Sequence, residues 1–301
     1  MSRQGNRLAY AVVRSDQNIW RVEVPATGVA PSAAAKFIAS TSIEYEPAYS
    51  PNGKKIAFAS HRSGSMEIWV CNSDGSRPEK LTSFGGPQTI RPRWSPDGQQ
   101  IVFYSSAKGS RDIYVIGWDR GIPKQLTKNP SIDTNPNWSA DGKWIYFESD
   151  RSEQNEVWKV PVDGGDAVPV LGVRGGGPVE SPDGKFLYYG KGWPDRKSWP
   201  DNYGVWRVPT TGGTEEQVVD GLHPEGGWVV VAGGIYFISK PDVKGVSYIR
   251  FKNLATGSVR TIALIKGKPS WGLTVSPDRR TFLYAQSDES GSDLMLVENF
   301  R

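Results

Sequence analysis

The chain has 301 residues, 37% of them hydrophobic and 23% charged, with a formal net charge of +4. Lys and Arg alternate with Asp and Glu along its length, so no basic stripe is present of the kind that neutralises phosphates, and nucleic acid is not an expected partner. A single cysteine, Cys71, leaves no internal disulfide, and no apolar run approaches the roughly 18 residues that cross a membrane.

The first elements are a polar corner at Ser2-Arg3-Gln4-Gly5 and strands expected over 7–13, 18–24 and about 35–40. From Glu44 a fuller unit follows. An inner run ends at Tyr49, a corner Ser50-Pro51-Asn52-Gly53 reverses the chain, and Ile56-Ala57-Phe58-Ala59-Ser60 and Glu67-Ile68-Trp69-Val70 read as strands. A second turn at Asp74-Gly75 leads to a short run closing on Leu81-Thr82. Proline presets φ for the second position of such a corner, Asp caps its own backbone and Gly takes the left-handed conformation. The unit recurs at Trp94-Ser95-Pro96-Asp97-Gly98, Trp138-Ser139-Ala140-Asp141-Gly142 and Glu180-Ser181-Pro182-Asp183-Gly184.

A weaker copy at Val231-Ala232-Gly233-Gly234 and a last one at Ser276-Pro277-Asp278-Arg279 bring the turns to seven. The last unit has strands expected over about 270–275, 280–286 and 292–298. Four antiparallel strands per unit, here called A to D, make a β-propeller blade. The expectation is one all-β propeller domain over 1–301, with seven blades by turn count and six as the alternative. The first unit lacks strand A and the last lacks strand D, so unclosed terminal blades offer a route to oligomers.

The phrase Pro-x-Trp-Ser-Pro-Asp-Gly-x-x-Ile-x-Phe-x-Ser, then Ser60-His61-Arg62-Ser63-Gly64 and Glu67-Ile68-Trp69-Val70, resembles the TolB-type, WD40-like propeller repeat. Segments such as Asn18-Ile19-Trp20-Arg21, Trp158-Lys159-Val160-Pro161 and Leu294-Met295-Leu296-Val297 resemble the C-terminal part of large bacterial proteins. There, a TolB-like propeller follows a winged-helix domain. The resemblance implies a sensing or protein-binding module, with more chain ahead of Ser2. It carries no DNA binding to this chain, which has no winged-helix residues, and leaves the compartment open between periplasm and cytoplasm.

In a propeller the D–A and B–C loops share one face, and the A–B and C–D turns share the other. The short Ser-Pro-Asp-Gly corners are structural, so a site is expected on the loop face, where the residues ahead of each strand A ring the channel mouth. These are Glu44, Glu46, Arg91, Asp133, Asn135, Arg174, His223, Glu225 and Trp271. The fifth unit adds a long B–C loop with two Trp-Pro-Asp phrases, and Trp193 and Trp199 on it suit stacking on a partner.

No metal is expected. There are two histidines, His61 and His223, and no Asp-x-Asp-x-Asp-Gly loop, so nothing supports Zn²⁺ or a Ca²⁺ in the channel. No Gly-x-Ser-x-Gly elbow, phosphate loop or dinucleotide fingerprint is present. The expectation is a non-catalytic module for a protein, a peptide or a small solute. Two alternatives stand beside it: a propeller hydrolase or lyase using His223 and Glu225, and a scaffold or propeller fragment without its own ligand.

Overall fold

The computed structural model describes residues 7–25, 31–86, 88–119, 121–191 and 203–298. Its strands form six four-stranded antiparallel sheets, and the six-blade alternative is therefore the observed count. Blade I holds Glu44–Tyr49, Lys55–Ser60, Glu67–Asn72 and Glu79–Lys80 as strands A to D. Blade II holds Thr89–Trp94, Gln100–Lys108, Ser110–Gly117 and Lys124–Gln125. Blade III holds Asp133–Trp138, Trp144–Ser149, Glu156–Pro161 and Val168–Arg174. Blade IV holds Gly176–Glu180, Phe186–Lys191, Gly204–Pro209 and Glu216–Val219. Blade V holds Trp228–Val231, Gly234–Ile238, Ser247–Asn253 and Val259–Ile265.

Blade VI is built from both chain ends. Lys268–Val275 and Thr281–Glu298 supply its strands A and B, and Arg7–Glu23 and Ala35–Ile38 supply C and D. This corrects the count of seven. Residues 7–13 and 292–298 were expected to be strands of two separate units, but they pair with each other. Arg7 lies opposite Glu298 and Glu23 opposite Thr281, in one ribbon whose register slips once, between Asp16 and Gln17. The two incomplete units thus merge into one blade, and the corner expected at 2–5 lies outside the described residues. A ring joined in this way has no open sheet edge at the seam.

Apolar side chains fill every junction of the ring. Ile19, Ile56, Phe58 and Leu283 seal blade VI against blade I. Phe103, Ile113, Ile145 and Phe147 belong to the layer through blades I to III. Tyr189 and Val208 lie in the layer between blades III and IV, Val205 and Phe237 between IV and V, and Tyr236 and Phe282 between V and VI. Each such side chain, fully buried, contributes about 1.5–3 kcal/mol. The β-branched and aromatic residues read as strands are therefore the ones that cement blades together. Cys71 belongs to this layer, with its thiol pushed up to about 12 by burial.

The corners behave as expected. The Ser50, Ser95, Ser139, Ser181 and Ser276 hydroxyls each donate to the residue-52, 97, 141, 183 or 278 side chain at 2.5–2.8 Å. These bonds hold the carboxyls of Asp97, Asp141, Asp183 and Asp278 below the ordinary range.

Candidate functional site

Five of the six inner strands break their register near the start, and that of blade V runs without a slip. The slips fall between Tyr45 and Ala48, Ile90 and Arg93, Thr134 and Asn137, Gly176 and Val179, and Pro269 and Leu273. The residue before proline in the first three bulges is left-handed: φ is 55° at Glu46, 63° at Arg91 and 54° at Asn135, and Gly177 of blade IV follows with 63°. Proline cannot join the ladder, so Pro47, Pro92, Pro136 and Pro178 mark where the strand lets go. A left-handed non-glycine residue is unfavourable, and its clustering is a pointer to function.

These bulges bring side chains from different blades together. Glu46 of blade I accepts from the Arg91 backbone N–H at 2.7 Å and pairs with the Arg91 guanidinium at 3.0 Å. Arg91 in turn lies 5.8 Å from the centre of the Trp271 ring of blade VI, spanning blade I. Its charge also reaches Glu148 of blade III and Tyr203 of blade IV, so the bulges meet at one hub. Asn135 Nδ2 donates to Glu148 Oε2 at 2.6 Å. Burial raises the Glu148 carboxyl above the usual carboxylate range, against the pull of Asn135 and Arg91. Burial, with Arg91 nearby, also brings Arg93 down to about 10.

The Gly175-Gly176-Gly177 run makes room for this arrangement: a Cβ on Gly176 would collide with the Glu148 carboxylate. On the fifth blade the His223 imidazole accepts from the Glu225 backbone N–H at 3.1 Å, and burial pushes it down to about 4. It is neutral at physiological pH.

Glu44 and Asp133 sit deeper than a mouth position. Both are fully buried within their blades. Arg62 donates to Glu44 and lies 5.2 Å from the rings of both Phe58 and Trp69. Arg151 gives Asp133 two bonds of 2.9 and 2.8 Å, between Phe147 at 5.2 Å and Trp158 at 4.6 Å. The Ser-x-Arg loops thus pin strand A to strands B and C, while blade II uses Thr89 and Ser105 at 2.9 Å for the same join.

Of the other expected mouth residues, Arg174 ends an outer strand and pairs with Glu156 at 3.7 Å, and Glu225 is exposed. The structure therefore gathers Glu46, Arg91, Asn135 and Trp271 at the hub and leaves Arg174 on an outer strand. Trp193 and Trp199 lie outside the described residues. Glu148, Arg93 and Tyr203 were not singled out from the sequence. Glu148 had a signal: it occupies the strand-B position held by Ala59, Tyr104 and Ala285 in other units, where a carboxylate breaks the apolar pattern.

Among the described residues, no three His, Cys, Asp or Glu side chains come together as metal ligands, and no helix is long and apolar enough to cross a membrane. Six blades closed by both chain ends, with bulged inner strands meeting at a polar hub, define a TolB-like β-propeller. The chain belongs to the family of the tricorn protease N-terminal beta propeller domain, whose model matches residues 67–266. No curated protein sequence matches it.

Among solved structures, TolB of Agrobacterium tumefaciens is similar at 21% identity and a TM-score of 0.68, covering 91% of this chain and 99% of that one. TolB of Acinetobacter baumannii is similar at 20% identity and 0.62, covering 94% and 66%. An oligogalacturonate lyase in complex with manganese is similar at 11% identity and 0.58, covering 89% and 78%. At these identities the likeness is one of fold.

Proposed function

We propose that this propeller is a non-catalytic recognition module that takes a segment of protein or peptide at its hub, on the face of the D–A and B–C loops. The observation that carries this reading is the chain Glu46–Arg91–Trp271, which sets an acid, a base and an aromatic ring from three blades side by side on locked bulges. Aromatic and arginine side chains dominate binding hot spots, and a preformed site loses little entropy on binding. The half-buried Arg91 offers donors to a backbone carbonyl or a carboxylate, while Trp271 offers a ring face.

Peptides selected from a phage-displayed random library on the wild-type protein should lose about tenfold or more in affinity for the Arg91→Glu variant. Peptides that bind both proteins equally would place recognition elsewhere and sink the reading.

One observation favours a second reading, a propeller lyase or hydrolase. His223 is held neutral and Glu148 has a raised carboxyl, which are the states wanted of a general base and a general acid. Fold neighbours include the oligogalacturonate lyase. Turnover of any polyuronate or peptide substrate that disappears in the His223→Ala/Glu225→Ala double variant would favour the enzyme over the module.

A further inference from the structure

The face opposite the hub carries the A–B corners, and around half of the ring these corners interlock. Pro277 of blade VI packs over Gly53 of blade I, Pro51 over Gly98 of blade II, and Pro96 over Gly142 of blade III. A Cβ added at those glycines would stand 3.2, 3.5 and 3.8 Å from the proline ring. The contact needs a proline in one corner and a glycine in the next. At the junction of blades V and VI both are missing.

Blade V turns at Ala232-Gly233 without a proline, and the corner of blade VI ends in Arg279 where four sibling corners have glycine. Those glycines hold φ at 69–71°, and Arg279 holds 60°. A side chain is thus kept in a conformation that glycine adopts freely and other residues resist. Nothing in the fold requires it, because the same turn closes with glycine elsewhere in the ring.

At this gap a groove of about 670 Å³ opens between the two blades. Arg279 and Arg280 line it from blade VI and Arg260 from blade V, beside the Tyr236 and Phe251 rings and Asn253. Among the described residues the lining holds no carboxylate. Arg260 rests 5.3 Å from the Phe251 ring centre, and none of the three arginines forms an ion pair among the described residues. The neighbouring Asp278 is tied into its own turn by Ser276 and the Arg280 backbone N–H, although its charge is felt by Arg280.

We propose that this groove binds a small organic anion, an oxyanion attached to a ring-sized apolar body. Guanidinium groups present planar forks that match carboxylate and phosphate oxygens, and three arginines line this one groove with no carboxylate among its described lining residues. The aromatic wall takes the apolar part, and the volume lies within the usual range for a small-molecule site. This site is separate from the hub and independent of what the hub recognises.

Phenyl phosphate and benzoate, titrated calorimetrically into the full chain, distinguish the two oxyanions. At least one should bind saturably and weaken as salt rises, while phenol and inorganic phosphate, each lacking one half of the match, bind at least about tenfold more weakly. Arg279→Gly restores the sibling corner, so it should fold as well as the wild type while losing about tenfold or more in affinity for the better ligand. Arg91→Glu, at the hub, should leave that affinity unchanged. The proposal is overturned if neither anion binds saturably, if Arg279→Gly binds as the wild type does, or if phenol or inorganic phosphate alone binds as tightly.

Discussion

Blades I to III and blades IV to VI are built from the same repeat but use it differently. In blades I and III a Ser-x-Arg loop closes on a buried acid, and the Trp94 and Trp138 indoles donate across to Ala48 and Arg93 carbonyls at 3.0 Å. In blade IV the acid is replaced by glycine, and Glu180 stands where those tryptophans stand. Its carboxylate accepts from the Ala140 backbone N–H instead. Blade V loses the corner, and blade VI puts arginine in place of its glycine. The regular half spends its repeated residues on holding blades together. The irregular half gives up several of those contacts, and it is there that His223, the glycine run receiving Glu148 and the arginine groove are found. Candidate function therefore lies both in the bulges that the regular blades share, which carry Glu46 and Arg91, and in the departures of the irregular ones.

Breaking one ion pair in each half tests this contrast most strongly. Arg151→Ala leaves Asp133 fully buried without its cation, and the protein should lose about 3–5 kcal/mol, seen as a large drop in the urea midpoint. Lys191→Ala removes a cation at the end of strand B of blade IV, whose partner Glu215 is partly exposed, and should cost about 1 kcal/mol or less. Equal losses would show that both halves carry the same structural load.

A smaller effect belongs to His223 of the irregular half. The His223 imidazole falls from its ordinary value near 6.5 to about 4 through burial. The unfolded chain therefore takes up a proton at a higher pH than the folded one. The stability contributed is fully present above about 6.5 and lost as pH falls towards about 4. Allowing for its partial exposure this amounts to about 1–3 kcal/mol. His223→Gln should flatten the fall in Tm between those two pH values. A variant whose Tm falls as steeply as that of the wild type would show that burial of this imidazole carries no pH-dependent stability.

The contrast also explains what the sequence could convey. The corners and the strands after them were legible because Pro, Asp and Gly at fixed offsets have one local conformation, and because β-branched and aromatic runs mark the strands. The blade count was not. Periodicity says that 7–13 and 292–298 form strands, but the partner of each lies at the other end of the chain, and local pattern carries no information about that pairing. At the site, Glu46, Arg91 and Asn135 could be placed because the repeat puts them at the start of the inner strands, around the channel mouth. Glu44 and Asp133 stand two residues before Glu46 and Asn135 and would share their face in a regular strand, but the register slip at the bulge separates them, and the earlier acids turn into the blade and onto Arg62 and Arg151. Glu148 escaped attention because it sits within a core strand, where its meaning depends on the glycines of the next blade.

The smallest expected effect is a gain. Arg279 holds a left-handed backbone without the packing that Pro51 and Pro96 give the sibling corners, so replacing it with glycine removes strain. The glycine also has more freedom to lose from the unfolded chain, which offsets part of the benefit. The net should be a stabilisation of up to about 1 kcal/mol, read as a rise in Tm of a few degrees at most. The same change at a glycine corner should act in reverse. Gly98→Arg meets Pro51 at 3.5 Å in a conformation of φ 70° and should destabilise by about 1 kcal/mol or more. If Arg279→Gly instead lowers Tm, the arginine supports the blade V–VI junction, and this corner belongs with the regular half of the ring.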